Sequence, residues 1–116
     1  MVKRIPQSNY MTKDMCNGVL KVMVLSMVKH GKYYPYLLFK TLERSGHSPV
    51  NGSMLKNAVY KTLADLEYAG YIKSNNLIEG SKMRKYYKIN SKGEDALKQT
   101  KKLITKSIND TIITLE

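Results

Sequence analysis

Ser53-Met54-Leu55-Lys56-Asn57-Ala58-Val59-Tyr60-Lys61-Thr62-Leu63-Ala64-Asp65-Leu66-Glu67-Tyr68-Ala69-Gly70 is the stretch whose periodicity decides the fold. Leu55, Val59, Leu63 and Leu66 recur at steps of four, four and three, the signature of a helix with one buried side. Ala58, Thr62 and Ala69 lie beside them as small packing residues, Ser53 is placed to cap the start, and Gly70 to close the end. At about 100° per residue, Lys56, Asn57, Tyr60, Lys61 and Ala64 fall on the opposite side, and the acidic Asp65 and Glu67 are confined to the later half. The early half therefore presents a basic, aromatic, amide-bearing face to solvent.

Downstream, Tyr71 to Leu77 and Met83 to Ile89 alternate and are rich in Tyr and Ile, which predicts two strands joined by the five residues from Ile78 to Lys82. Arg84, Tyr86 and Lys88 share one strand face, expected to be a projecting cationic and aromatic surface. Lys85 shares the other with Tyr87 and Ile89. Ser91-Lys92-Gly93-Glu94 matches a capping box, so a last helix is expected from Ser91. Its narrow stripe of Leu97, Ile104, Ile108, Ile112 and Leu115 reads as a packing seam, set among Lys98, Lys101, Lys102 and Lys106.

Upstream, Pro35 suits the first turn of a helix bearing Leu38, Phe39 and Leu42, which Gly46 would stop. His47 to Gly52 is a turn-rich link. From Lys13 to His30 the residues Met15, Val19, Val22, Met23, Ser26 and Met27 recur at helical spacing, with Leu20, Val24, Leu25 and Val28 on other sides. That helix is apolar nearly all round, as a central helix reaching a subunit interface would be. Residues 1–12 are read as an arm, 13–90 as the DNA-binding unit and 91–116 as a dimerisation helix of the same compact body.

The order helix, helix, helix, hairpin, long helix is a mainly α class with a small β-hairpin: a winged helix-turn-helix with a C-terminal dimerisation helix. Such a core exposes the start of its third helix, which can enter a major groove while the wing reaches neighbouring phosphates or a minor groove. The 116 residues suffice for one core, and 20 Lys+Arg against 9 Asp+Glu leave a net charge of +11, suited to a polyanion. No apolar run approaches a membrane span or a signal-peptide core, and the single cysteine, Cys16, precludes an internal disulfide. An intracellular, cytoplasmic location is expected. Cys16, His30 and His47 are too few and scattered for a metal site, so no metal and no cofactor is expected. No catalytic residues are expected either, since neither a phosphate loop nor a nucleophile elbow occurs.

The stretch Asn57 to Ile72 resembles the "lYp.L..Le..Gli" helix of PadR-type regulators, and Met83 to Gly93 resembles their "rRkyY.lT..G" wing and cap. Gly18 to Gly31 and Tyr36 are loosely similar to the family's first helix and "yGYe" turn, so the likeness spans Gly18 to Leu97. Pro35, Lys61 and Asn90 stand where the family has glycine, proline and threonine. The short C-terminal helix is similar to that of a small subgroup, and similar proteins occur in archaea and their viruses. The resemblance implies DNA contacts by Tyr60 and Lys61 and by Lys82, Arg84 and Lys85 of the wing, with helices one and four building a homodimer.

The expected function is sequence-specific binding of double-stranded DNA, as a repressor that occludes a promoter. Ser53, Lys56, Asn57, Tyr60, Lys61, Lys82, Arg84 and Lys85 form the contact set, and Leu97, Ile104, Ile108, Ile112 and Leu115 the dimer seam. A two-fold dimer would place two recognition helices about 34 Å apart, on half-sites one helical turn apart. Two other readings stay open: a protein-interaction module anchored by Tyr60, Tyr68 and Tyr71, and a ligand-sensing regulator with a small-molecule effector between subunits. Arg84 and Lys85 also have a plain reading as solvated charges that blunt a sheet edge.

Overall fold

The computed structural model describes residues 10–50 and 52–113, with Tyr10, Thr111, Ile112 and Ile113 described by their backbone alone. The chain runs α1 (Tyr10–His30), α2 (Pro35–Ser45), α3 (Ser53–Tyr68), β1 (Ile72–Glu79), β2 (Lys82–Ile89) and α4 (Ser91–Ser107), which continues as a π-helical stretch over Ile108–Ile113. α1 begins inside the segment read as an arm; what precedes Tyr10 lies outside the described residues, as do Leu115 and the side chain of Ile112.

The core is one cluster. α3 contributes Leu55, Val59, Leu63 and Leu66, as its periodicity predicts, and α2 adds Leu38, Phe39 and Leu42. α1 departs in part from the expected stripe: Cys16, Leu20, Val24, Leu25 and Val28 are buried, Val22, Met23 and Met27 are half-buried against the core, and Met15 is 66% exposed and Val19 37%. A helix apolar on every side carries no signal of which side its neighbours cover, and here α3 and α4 both pack on α1. Each fully buried leucine contributes roughly 1.5–3 kcal/mol, and Leu20, Leu38, Leu55 and Leu63 lie in this class.

Helix ends are made by backbone more than by hydroxyls. α3 is entered through Gly52 at φ 68°, a conformation costly to a side chain, and Ser53 makes no capping bond. Ser53 is therefore the first helical residue and not the cap. At the far end Gly70, at φ 84°, turns the chain so that its N–H bonds Glu67 O at 3.0 Å and the Tyr71 N–H bonds Leu66 O at 3.0 Å, a Schellman pair.

The strands are longer and the loop shorter than expected. Ile72 pairs with Ile89 through to Glu79 with Lys82, leaving only Gly80-Ser81 as the turn. Gly80 has φ 63° and, among the described residues, none other than glycine has positive φ, the pattern of a type II′ hairpin. The free edge of β2 is met by the α1–α2 link, where Tyr33 O accepts the Tyr87 N–H at 3.3 Å.

α4 is capped by Asn90, one residue before the expected Ser91. Its Oδ1 accepts the Gly93 N–H at 2.9 Å, its Nδ2 donates to Gly70 O at 2.7 Å, and its backbone N–H donates to Tyr71 O at 3.1 Å. Gly93 is buried there because a Cβ would lie 2.8 Å from Ile89 Cγ1 and closer still to Tyr71 O.

Candidate nucleic-acid interface

The α3 core stripe fixes what α3 shows to solvent. Ser53, Lys56, Asn57, Tyr60, Lys61 and Ala64 are all exposed, Tyr60 by 43%, and the first three turns carry no acid. Lys56 forms no ion pair among the described residues, whereas Lys61 Nζ donates to Asp65 Oδ2 at 2.9 Å, one helical turn on. That bond holds the Asp65 carboxyl below its ordinary range, with the positive charge of Lys21 acting in the same direction.

The wing carries the remaining cations of the contact set. Lys82 is exposed at the turn. Arg84 lies over the Tyr34 ring, its Cζ 4.4 Å from the centroid, with Nη1 3.5 Å from Glu79 Oε1. Glu79 also accepts the Tyr86 hydroxyl, which holds its carboxyl low and raises the phenol's pKa; Lys32 and Arg84 lower the carboxyl further by charge. Lys85 points to the other side, 3.7 Å from Glu67 Oε1, while Glu67 Oε2 accepts the Ser74 hydroxyl at 2.7 Å. Glu67 thereby ties both strands to the last turn of α3.

Tyr86 corrects the expected free face of β2. It is buried, meeting the edge of Tyr34 at a centroid distance of 5.6 Å and lying 4.7 Å beneath Lys32 Nζ. The α1–α2 link folds over this face, so of the expected trio Arg84 and Lys88 retain solvent and Tyr86 does not. Tyr34, Lys32, Glu67 and Glu79 were not among the expected site residues. They act through contacts between separate elements, for which no local pattern exists.

In the seam, Leu97 is 3% exposed within the protomer's own core, because α1 and Tyr71 cover it. Ile104 and Ile108 are each 43% exposed, and Leu103, absent from the expected stripe, is 65% exposed. The outward apolar side of α4 thus starts beyond Leu97. Among the described residues no group of His, Cys, Asp and Glu could hold a metal ion, and no helix is long and apolar enough to cross a membrane.

Residues 24–99 match the model of the transcriptional regulator PadR-like family. This chain belongs to that family of transcriptional regulators. Among solved structures, a PadR family transcriptional regulator from Eggerthella lenta aligns with TM-score 0.74 and 28% identity, over 92% of this chain and 90% of that one. A transcriptional regulator from Clostridium thermocellum aligns with TM-score 0.67 and 28% identity, over 85% and 95%. Bacillus subtilis PadR in complex with operator DNA aligns with TM-score 0.59 and 23% identity, over 70% of this chain and 45% of that one. No curated protein matches. The PadR-like assignment makes the chain a regulator and not an enzyme, with the winged helix-turn-helix as its fold.

Proposed function

We propose that this PadR-like regulator is a sequence-specific repressor that binds double-stranded DNA as a homodimer, with α3 in the major groove and the hairpin on the adjoining backbone. The observation that carries the reading is the acid-free outer face at the start of α3, where Lys56, Asn57 and Tyr60 stand exposed on a helix locked by its opposite side. Lysines there neutralise phosphates, and Asn57 offers the paired donor and acceptor that read an adenine edge. The outward Ile104 of α4 and Ile108 of its π-helical continuation, with Met15 and Val19 of α1, supply apolar surface for a second copy. The operator duplex bound by the Bacillus subtilis relative supports the same use of the fold.

The test is footprinting on the chain's own upstream DNA, followed by affinity as a function of salt and mass in solution. Each phosphate contact contributes about 0.9 to the slope of log K against log salt, so Lys56→Ala lowers that slope by about one per engaged protomer. Asn57→Ala instead relaxes preference at one base pair by roughly 1–3 kcal/mol. Unchanged affinity after Lys56, Lys61 and Arg84 are all neutralised removes the surface.

A further inference from the structure

We propose that a second row of residues, Lys13, Asn17 and Lys21 on α1, is a phosphate-binding surface that carries the duplex past α3; this rests on the DNA reading above. α1 is apolar on most sides, yet these three polar residues follow one another at four-residue steps and are all exposed. That spacing aligns them along one face, with Lys13 and Lys21 about 12 Å apart along the axis. They line one wall of a groove whose other wall is Ala58, Lys61 and Asp65 of α3.

Lys61 belongs to both the groove and the outer face of α3, so a duplex seated on that face has its backbone at the groove's mouth. The charge balance there favours an anion. Three ammonium groups face one carboxylate, and Asp65 is already engaged by Lys61 at 2.9 Å. Lys13 and Lys21 form no ion pair of their own among the described residues, Lys21 acting on Asp65 only by longer-range charge, and a pair of cations at this separation spans a few phosphates of one strand, which rise about 3.4 Å each. The asparagine between them adds an amide donor for a phosphate oxygen. Because such contacts go to the backbone, the row increases grip without adding sequence preference.

The experiment is fluorescence anisotropy of the footprinted operator and of a mixed-sequence duplex, each titrated with the full chain across a salt series. It compares wild type, Lys56→Gln, the double variant Lys13→Gln/Lys21→Gln, and Lys98→Gln/Lys102→Gln, which removes the same charge from exposed positions of α4. The double α1 variant is expected to lower the salt slope by about 1.8 per engaged protomer and to weaken binding by the same factor on operator and mixed sequence. The α4 variant is expected to change the slope by less than half as much, and thermal midpoints and mass stay at the wild-type values. If wild type binds and Lys56→Gln lowers the slope, but the α1 pair behaves like the α4 pair, this inference falls and the DNA reading stands. If wild type shows no salt-dependent binding, both fall.

Discussion

Replacing Gly93 by alanine tests the joint between wing and terminal helix. The added methyl would stand 2.8 Å from Ile89 Cγ1 and 3.1 Å from the Tyr71 carbonyl carbon, with the Tyr71 oxygen nearer than either. Ile89 can rotate; a carbonyl cannot without dragging the chain. Forcing a methyl into so tight a site costs about 3 kcal/mol, the upper part of the overpacking range. Displacing Tyr71 O from the Asn90 N–H costs about 1 kcal/mol more, and the better helix propensity of alanine returns up to about 1 kcal/mol. The net loss of about 3 kcal/mol corresponds to a fall in melting temperature of roughly 10–15 °C for a domain of this size. Thermal unfolding followed by circular dichroism at fixed protein concentration reads it, with Gly18→Ala as the counterpart. Gly18 lies inside α1, and a methyl added there would meet nothing within 4 Å, so the same change stabilises by about 0.5–1 kcal/mol. A Gly93→Ala protein that melts at or above the wild-type temperature would refute the close approach of Tyr71 to the start of α4.

Two further predictions concern the carboxylates that hold the wing. The Tyr86 hydroxyl, aided by Lys32 and Arg84, holds the Glu79 carboxyl below its ordinary value; its stabilising effect is therefore complete above the unfolded-state value and lost as pH falls through the depressed folded-state value. Glu79→Gln is expected to flatten the acid limb of a stability-against-pH curve, and an unaltered limb counts against the latch. Glu67→Gln removes the charge partner of Lys85 while leaving an acceptor for Ser74. Filter binding is expected to show tighter association with duplexes of any sequence and a salt slope steeper by up to about 1; weaker association would contradict the proposed contact of Lys85 with a duplex.

What could be read from the sequence follows the strength of each local pattern. The α3 stripe was fully legible because Leu55, Val59, Leu63 and Leu66 bury one side against a polar other side, and that contrast fixes the outer face as well. α1 lacked such contrast, so the outward Met15 and Val19 fell on as regular a repeat as the residues that pack. The caps of α3 and α4 were placed one residue late, since Gly52 and Asn90 compete with the neighbouring Ser53 and Ser91, and only the backbone angles decide between them. The strand ends at Ile78, Glu79 and Lys82 are solvent-exposed, so no burial alternation marked them as paired. Period-two alternation separated Tyr86 from Tyr87 correctly but could not reveal that Tyr34 closes over the former. The ion pairs of Arg84 with Glu79 and of Lys85 with Glu67 depend on which elements meet, information that emerges only after packing.

Asn90 gives the molecule a hinge without play. One side chain grips the end of α3 through Gly70 and the first turn of α4 through Gly93, at the very residue where the hairpin stops. Lys92 Nζ adds a strut to Ala69 O at 2.9 Å. A tilt of the terminal helix is thus passed to the hairpin root and to the tail of α3 together.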